Sequence, residues 1–301
     1  MKVVPCPVCG VKVRRNQLAA HRAAAHRGRK RKSWIPRVLA ASAVVIVVTI
    51  ASVLIYISRN VNEDGTEDVP PVDHNATAVT FLTEDGWTIK GTFYKGDPSQ
   101  PMLILVHGIG EDRRSFDTLV TDLRAKGYNV LAYDSRGMGQ STLQDGRYRD
   151  WKTFTEQDFK AMVNDIYSAK YYALSNFMSA PKVGIIGGSI GANEALTFAC
   201  QTGASDNKAL VLLSAGENYR GIQSAPAVTA LNLQGAQPRI FFCAAQDDEA
   251  GSAAVALSLN ASYTGPKQLE MMSGPRHGTQ MLTDPAFRTK VVTFLADAFS
   301  G

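Results

Sequence analysis

Val183-Gly184-Ile185-Ile186-Gly187-Gly188-Ser189-Ile190-Gly191 decides how this chain folds. Residues 183–186 are an uncharged apolar run, and residues 192–200 space their apolar side chains as a helix does. Between them stands G-x-S-x-G, at a strand-to-helix turn. Such a turn is too sharp for Cβ atoms at its glycines, and it lifts the serine hydroxyl above the sheet. The pentapeptide alone is a weak signal, so its meaning rests on what surrounds it.

Working outward, short β-rich runs alternate with amphipathic helical ones from residue 77 onward. Residues 77–82 and 87–94 read as an antiparallel pair around Glu84-Asp85-Gly86. Residues 102–106 are wholly apolar, as a strand covered on both faces should be. Further strands are predicted over 128–133, 183–186, 209–213, 239–244 and 268–272. Helices are predicted over 115–126, 156–177, 192–200, 252–260 and 284–299. This alternation implies an α/β fold with a mainly parallel, doubly covered sheet. Ligands of such sheets bind beyond the carboxyl ends of the strands. The chemically capable residues fall at those ends. His107-Gly108-Ile109-Gly110 follows one strand, and the loop 134–141, from Asp134 to Ser141, follows the next. Ser189, then Gln246-Asp247-Asp248, then Arg276-His277-Gly278 follow three more. A serine hydroxyl is inert until a base takes its proton, and the base needs an acid to orient it.

With these motifs on the page, residues 77–301 resemble an α/β-hydrolase, whose nucleophile, acid and base follow in the order Ser, Asp, His. His107-Gly108-Ile109-Gly110-Glu111, Phe116 and the loop 134–141 are similar to the monoacylglycerol lipase and serine aminopeptidase branch. The resemblance implies Ser189 as nucleophile and His277 as base. It implies Asp248, three residues after Ala245, as the acid, with Asp247 as the alternative. It also implies an oxyanion hole made of the backbone N–H groups of Ile109 and Ile190. His107, Asp134 and Arg136 are expected to organise loops. Family members often insert a multi-helix cap after the strand matching 209–213. Here residues 215–238 leave room for a loop and one short helix, so the cap is minimal and the site is expected to be open. Ile109, Met138, Ile190 and Tyr219 suggest an apolar acyl pocket.

The head of the chain differs in kind. Residues 1–57 carry eleven Lys or Arg and no acidic residue, whereas 58–301 carry 21 basic and 27 acidic ones. The basic head therefore sets the net charge of +5, and no nucleic-acid partner is expected for the large domain. Residues 38–57 are twenty in a row without a charge. As a helix they would span about 30 Å, the thickness of a bilayer core. Trp34 and Tyr56 stand at the ends, where amphipathic rings favour the interface. Arg29-Lys30-Arg31-Lys32 and Arg37 precede the span, and Glu63, Asp64, Glu67 and Asp68 follow it. The reading is a transmembrane helix over 35–57, an N-terminus in the cytoplasm, a linker over 58–76 and a hydrolase domain over 77–301 outside the plasma membrane.

Residues 1–32 form a basic module in which Cys6, Cys9, His21 and His26 are spaced C-x2-C-x11-H-x4-H. Two thiolates and two imidazoles suit a tetrahedral structural zinc, the one cofactor expected; none is expected for catalysis. The module resembles a two-Cys two-His zinc finger. Its Cys-to-His gap is one residue short, and Val13 replaces the usual aromatic. One finger covers about 3 bp of DNA, so a cytoplasmic protein partner fits a tethered module better.

The expectation is a membrane-anchored serine hydrolase cleaving carboxylic esters, lipid-like ones included. Its alternatives are a peptidase or amidase of the same fold, or a noncatalytic sensor coupled to the zinc module. Cys200 and Cys243 lie in apolar runs and are expected as buried free thiols, with a disulfide between them left open.

Overall fold

The computed structural model describes residues 3–5, 12–17, 76–177, 182–202 and 207–300. The chain divides into two units, Met1–Val72 and Asp73–Gly301. In the first, Val3–Pro5 pairs antiparallel with Lys12–Arg14, and a 3-10 turn, Arg15–Gln17, follows. Cys6, Cys9, His21 and His26 lie outside the described residues, as do the apolar span and the linker up to residue 75.

The second unit opens with β1 (Ala76–Leu82), β2 (Trp87–Tyr94) and β3 (Met102–Val106). Helix α1 (Asp117–Ala125) leads to β4 (Asn129–Tyr133). Helices α2 (Glu156–Lys160) and α3 (Val163–Phe177) precede β5 (Val183–Gly188) and α4 (Ile190–Thr202). Then come β6 (Asn207–Leu213), α5 (Ser224–Asn232), β7 (Arg239–Ala245) and α6 (Ser252–Ser262). The last elements are β8 (Lys267–Met272) and α7 (Pro285–Phe299).

The strand order is β1-β2-β4-β3-β5-β6-β7-β8, with the two-strand ribbon Leu143–Gln144 and Arg147–Tyr148 attached to β2. From β4 to β8 every pairing is parallel; β2 runs antiparallel to both β1 and β4. β3, β4 and β5 are buried along their whole length, and their side chains alternate between two apolar layers. Ile104, Leu131 and Ile185 pack with Ile166, Leu196 and Val228 of α3, α4 and α5. Leu103, Val130 and Ile186 pack with Leu119 and Leu123 of α1 and with Val291 and Leu295 of α7. The period-2 alternation thus becomes a sheet with helices on both faces.

Several element ends differ from the sequence reading by a residue or two, and two helices differ in form. β1 begins at Ala76, which the reading placed at the end of the linker. The helix expected over 115–126 starts as a 3-10 turn, Arg113–Phe116, because Asp112 caps the Arg114 N–H there. The helix expected over 156–177 is two. Asn164 N–H and Asp165 N–H donate to Ala161 O and Met162 O, so tighter bonds replace the α-helical ones. The break re-aims the chain. Phe159 and Met162 face a small apolar cluster with Met138, Ile190 and Ile222, whereas Val163 and Ile166 face the sheet.

Candidate active site

Ser189 sits between β5 and α4 with φ of 55°, a left-handed conformation that costs a β-substituted residue energy. A Cβ added at Gly187 would stand 2.3 Å from Gly191 O, and one at Gly191 would stand 2.3 Å from Val106 O. Neither position accepts a side chain, so the glycines of the motif are steric necessities. The Ser189 N–H donates to Leu213 O at 2.8 Å, which ties the turn to the end of β6.

Asp248 follows β7, and His277 follows β8. His277 Nε2 lies 2.8 Å from Ser189 Oγ, and His277 Nδ1 lies 2.7 Å from Asp248 Oδ2. A carboxylate can only accept, so Nδ1 carries the proton and Nε2 accepts from the serine hydroxyl. Asp247 is exposed, whereas Asp248 is buried. Asp248 also accepts from Ser252 Oγ and, at 3.0 Å, from the Ala250 N–H. Its side chain is 2% exposed and that of His277 29%, so the carboxylate is sealed while the imidazole reaches solvent. Burial pushes the Asp248 carboxyl up, but the bonds from Ser252, His277 and Ala250 outweigh it and hold the group below the usual carboxylate range.

A depressed folded-state pKa adds stability above the unfolded value, about 3.9, and that stability is lost as pH falls through the folded value. The melting temperature of Asp248→Asn should therefore fall less steeply than that of the native protein below about pH 4. Parallel curves across that range would remove Asp248 as a contributor.

The loop after β3 lies against Ser189: a Cβ at Gly108 would be 3.2 Å from Ser189 Cβ. It carries Ile109, while Ile190 is the first residue of α4, where helix N–H groups have no intrahelical acceptor. The loop is pinned three ways. His107 is fully buried; its Nε2 accepts from Ser135 N–H at 2.9 Å, and its Nδ1 donates to Gly108 O at 2.7 Å. Burial pushes its pKa down, so the ring is a neutral strut. Glu111 accepts from Gly108 N–H at 3.0 Å and from Thr279 Oγ1 at 2.9 Å, joining this loop to the turn after His277. Gly110 N–H donates to Met138 Sδ at 3.3 Å.

Asp134 and Arg136 lie behind the site. Asp134 accepts from the Arg113 and Gln140 N–H groups, and Arg136 is paired with Asp85 and Asp165. Ile109, Met138, Ile190 and Tyr219 come together in one apolar cluster, which Trp151, Phe154 and Ile222 extend. Residues 215–238 contribute one hairpin, Asn218–Tyr219 with Ile222–Gln223, and the nine-residue α5.

Sequence reasoning missed Ser214 and Ser252 and gave Glu111 no role. Ser214 Oγ accepts from the Gly278 N–H at 2.9 Å, beside His277. Isolated serines carry no motif; only the position of Ser252, at the start of a helix four residues after Asp248, hinted at a bond. Cys200 and Cys243 are free thiols; Cys243 is buried and Cys200 half-buried. Among the described residues no group of His, Cys, Asp or Glu is placed to hold a metal ion, and no helix is long and apolar enough to cross a membrane.

This sheet order, with a hydrogen-bonded Ser, His and Asp at its carboxyl edge, defines the α/β-hydrolase class. The chain belongs to the family described as Serine aminopeptidase, S33, whose profile matches residues 97–277. An esterase of Pyrococcus furiosus is similar in fold, with a TM-score of 0.59 at 18% identity over 74% of this chain and 90% of that one. Est1E of Butyrivibrio proteoclasticus with bound ferulic acid has a TM-score of 0.59 at 16% identity, covering 74% of this chain and 100% of that one. A dienelactone hydrolase of Anabaena variabilis reaches 0.54 at 16% identity, covering 75% and 98%. No curated protein matches the sequence.

Proposed function

We propose that the chain is a membrane-anchored serine hydrolase that cleaves carboxylic esters through an acyl-enzyme on Ser189. The observation that carries this is the pair of contacts at His277, 2.8 Å to Ser189 Oγ and 2.7 Å to Asp248 Oδ2. As Ser189 Oγ attacks the carbonyl carbon, its proton passes to His277 Nε2, and Asp248 stabilises the resulting imidazolium. The tetrahedral oxyanion faces the N–H groups of Ile109 and Ile190. His277 then returns the proton to the departing alcohol, and water repeats the sequence to free Ser189.

Two features favour esters. The fold neighbours include proteins named an esterase and a dienelactone hydrolase and one holding ferulic acid. The small hairpin-and-helix cover leaves His277 open to bulky alcohol groups and to water. The family's name favours the second reading, an aminopeptidase or amidase. A sensor without catalysis has no use for this hydrogen-bonded set.

The anchor rests on the uncharged residues 38–57, and the charge asymmetry around them favours a hydrolase domain outside the plasma membrane. The cofactor proposed is one structural zinc on Cys6, Cys9, His21 and His26, a donor set that suits zinc, with a cytoplasmic protein as the module's partner.

The test uses the full chain in lipid vesicles, with nitrophenyl esters of short and long acyl chains against aminoacyl nitroanilides. Faster turnover of the esters is expected; the reverse ranking would transfer the function to the amidase reading. Zinc content of one ion per chain, lost in Cys6→Ser, checks the module, and resistance to alkaline extraction checks the anchor.

A further inference from the structure

The peptide group between Gly108 and Ile109 carries one of the two N–H groups that face the oxyanion in the serine-hydrolase reading above. No peptide bond among the described residues is cis, so this N–H points opposite to Gly108 O. Whatever holds Gly108 O therefore aims the Ile109 N–H. Two donors hold it, His107 Nδ1 at 2.7 Å and the Glu111 N–H at 3.2 Å. The Gly108 N–H is held as well, by Glu111 Oε2 at 3.0 Å. Glu111 thus grips Gly108 twice, by its main chain on the carbonyl and by its side chain on the amide. The Ile109 N–H itself meets no acceptor among the described residues, which leaves it for the substrate.

The other oxygen of the same carboxylate holds the turn of the base. Glu111 Oε1 accepts from Thr279 Oγ1 at 2.9 Å, two residues beyond His277 and 168 beyond Glu111 itself. That turn is stiff. Gly278 N–H donates to Ser214 Oγ at 2.9 Å, Gln280 N–H to His277 O at 3.1 Å, and His277 N–H to Gln280 Oε1 at 3.2 Å. Thr279 is 6% exposed, so water competes little for its bond. The serine turn is packed against both ends of the bridge. A Cβ at Gly108 would stand 3.2 Å from Ser189 Cβ and 3.3 Å from Glu111 Cδ, and one at Gly188 would stand 3.0 Å from Thr279 Cγ2. One half-buried carboxylate therefore ties the loop after β3 to the turn after β8, with the elbow against both.

Building on the serine-hydrolase reading, we infer that Glu111 is a positioning residue for the reaction. Its carboxylate fixes the Ile109 N–H and the His277 turn in one mutual geometry, so that oxyanion donor and base meet the same tetrahedral carbon. Glu111 touches no reacting atom and exchanges no proton; the Ser189 proton goes to His277 Nε2 and comes back from it. The requirement is strict because an oxyanion donor acts only when it lies about 2.7–3.1 Å from the charged oxygen. A displacement of about 1 Å costs on the order of 10²-fold in rate. Without the carboxylate, the Gly108 N–H loses its acceptor and Thr279 Oγ1 its partner, and the loop and the turn are free to move apart.

The experiment compares Glu111→Ala, Glu111→Gln and Thr279→Val with the native full chain in vesicles. It reads the fluorophosphonate labelling rate, ester kcat and KM, and the folded fraction from melting curves. Glu111→Ala loses both bonds and should lower kcat and the labelling rate by about 10- to 100-fold, with KM within about twofold. Glutamine can offer Oε1 to the Gly108 N–H and an Nε2 proton to Thr279 Oγ1, so Glu111→Gln should return to within about fivefold of native. Thr279→Val keeps the shape, removes one bond and should lose about three- to tenfold. It carries the test if Glu111→Ala does not fold. An unchanged kcat in Glu111→Ala, or in Thr279→Val where the former is unfolded, would overturn the inference and leave the Ser189 reading standing. So would a loss that only tracks the folded fraction, or a Glu111→Gln as slow as Glu111→Ala, which would make the charge and not the two bonds decisive. A native chain that neither labels nor hydrolyses esters would overturn the serine-hydrolase reading itself.

Discussion

Ser189→Ala is expected to abolish fluorophosphonate labelling and to lower ester turnover by about 10⁵- to 10⁶-fold, with the fold intact. The size follows from the chemistry: without Oγ no acyl-enzyme forms, and only binding and the oxyanion N–H groups remain to act on a bound ester. The fold survives because alanine keeps the Cβ and the Ser189 N–H bond to Leu213 O. The one bond lost is that to His277 Nε2, on a side chain 29% exposed, where water can replace it. His277→Ala should cost a similar factor, and the double variant little more, because the two act as a unit. Melting curves of the variant that overlay the native one would assign the whole loss to chemistry. A variant that kept native turnover would move the active site elsewhere.

The elbow was legible because sterics leave it no freedom. Gly187 and Gly191 approach backbone oxygens so closely that only glycine serves, and the sequence has to display that. The strand ends were legible for a related reason: β3, β4 and β5 are buried throughout, so each apolar run stops where the chain emerges at the carboxyl edge. The choice between Asp247 and Asp248 was not. Adjacent residues on a turn point in different directions, and only the backbone geometry directs Asp248 inward to His277 and Ser252. Nor could periodicity find the break between α2 and α3. Phe159 and Met162 belong to the cluster beside the site, and Val163 and Ile166 to the sheet, so both halves keep apolar spacing across the change of direction. Tyr219 was read for its ring alone; the long bond from its hydroxyl to Ser214 O depends on a hairpin that no motif announces.

Arg136→Ala should destabilise the protein by about 3–5 kcal/mol, lowering the melting temperature by about 10 °C or more. Arg136 is 2% exposed and Asp165 is fully buried. Asp165 accepts from the Arg136 N–H at 2.8 Å and from Nε at 2.9 Å, and Asp85 accepts from the guanidinium as well. Burial works against the Arg136 charge, but the two carboxylates outweigh it and keep the guanidinium protonated. Deleting the guanidinium strands Asp165 in an apolar layer, beside Glu194, whose own carboxyl burial already pushes far up. The stranded group must ionise at high cost or take up a proton, so the deficit of Arg136→Ala should shrink as pH falls. The effect reaches the active site through the neighbouring residue: Ser135 N–H is the bond that fixes His107, and His107 fixes the Gly108 carbonyl of the loop carrying Ile109. Turnover should therefore fall by more than the folded fraction predicts. Asp165→Asn placed on Arg136→Ala removes the stranded charge and should recover a large part of the stability. A double variant no more stable than Arg136→Ala would show that the loss comes from packing against Trp87, over whose ring Arg136 lies at 5.6 Å, and not from the buried charge.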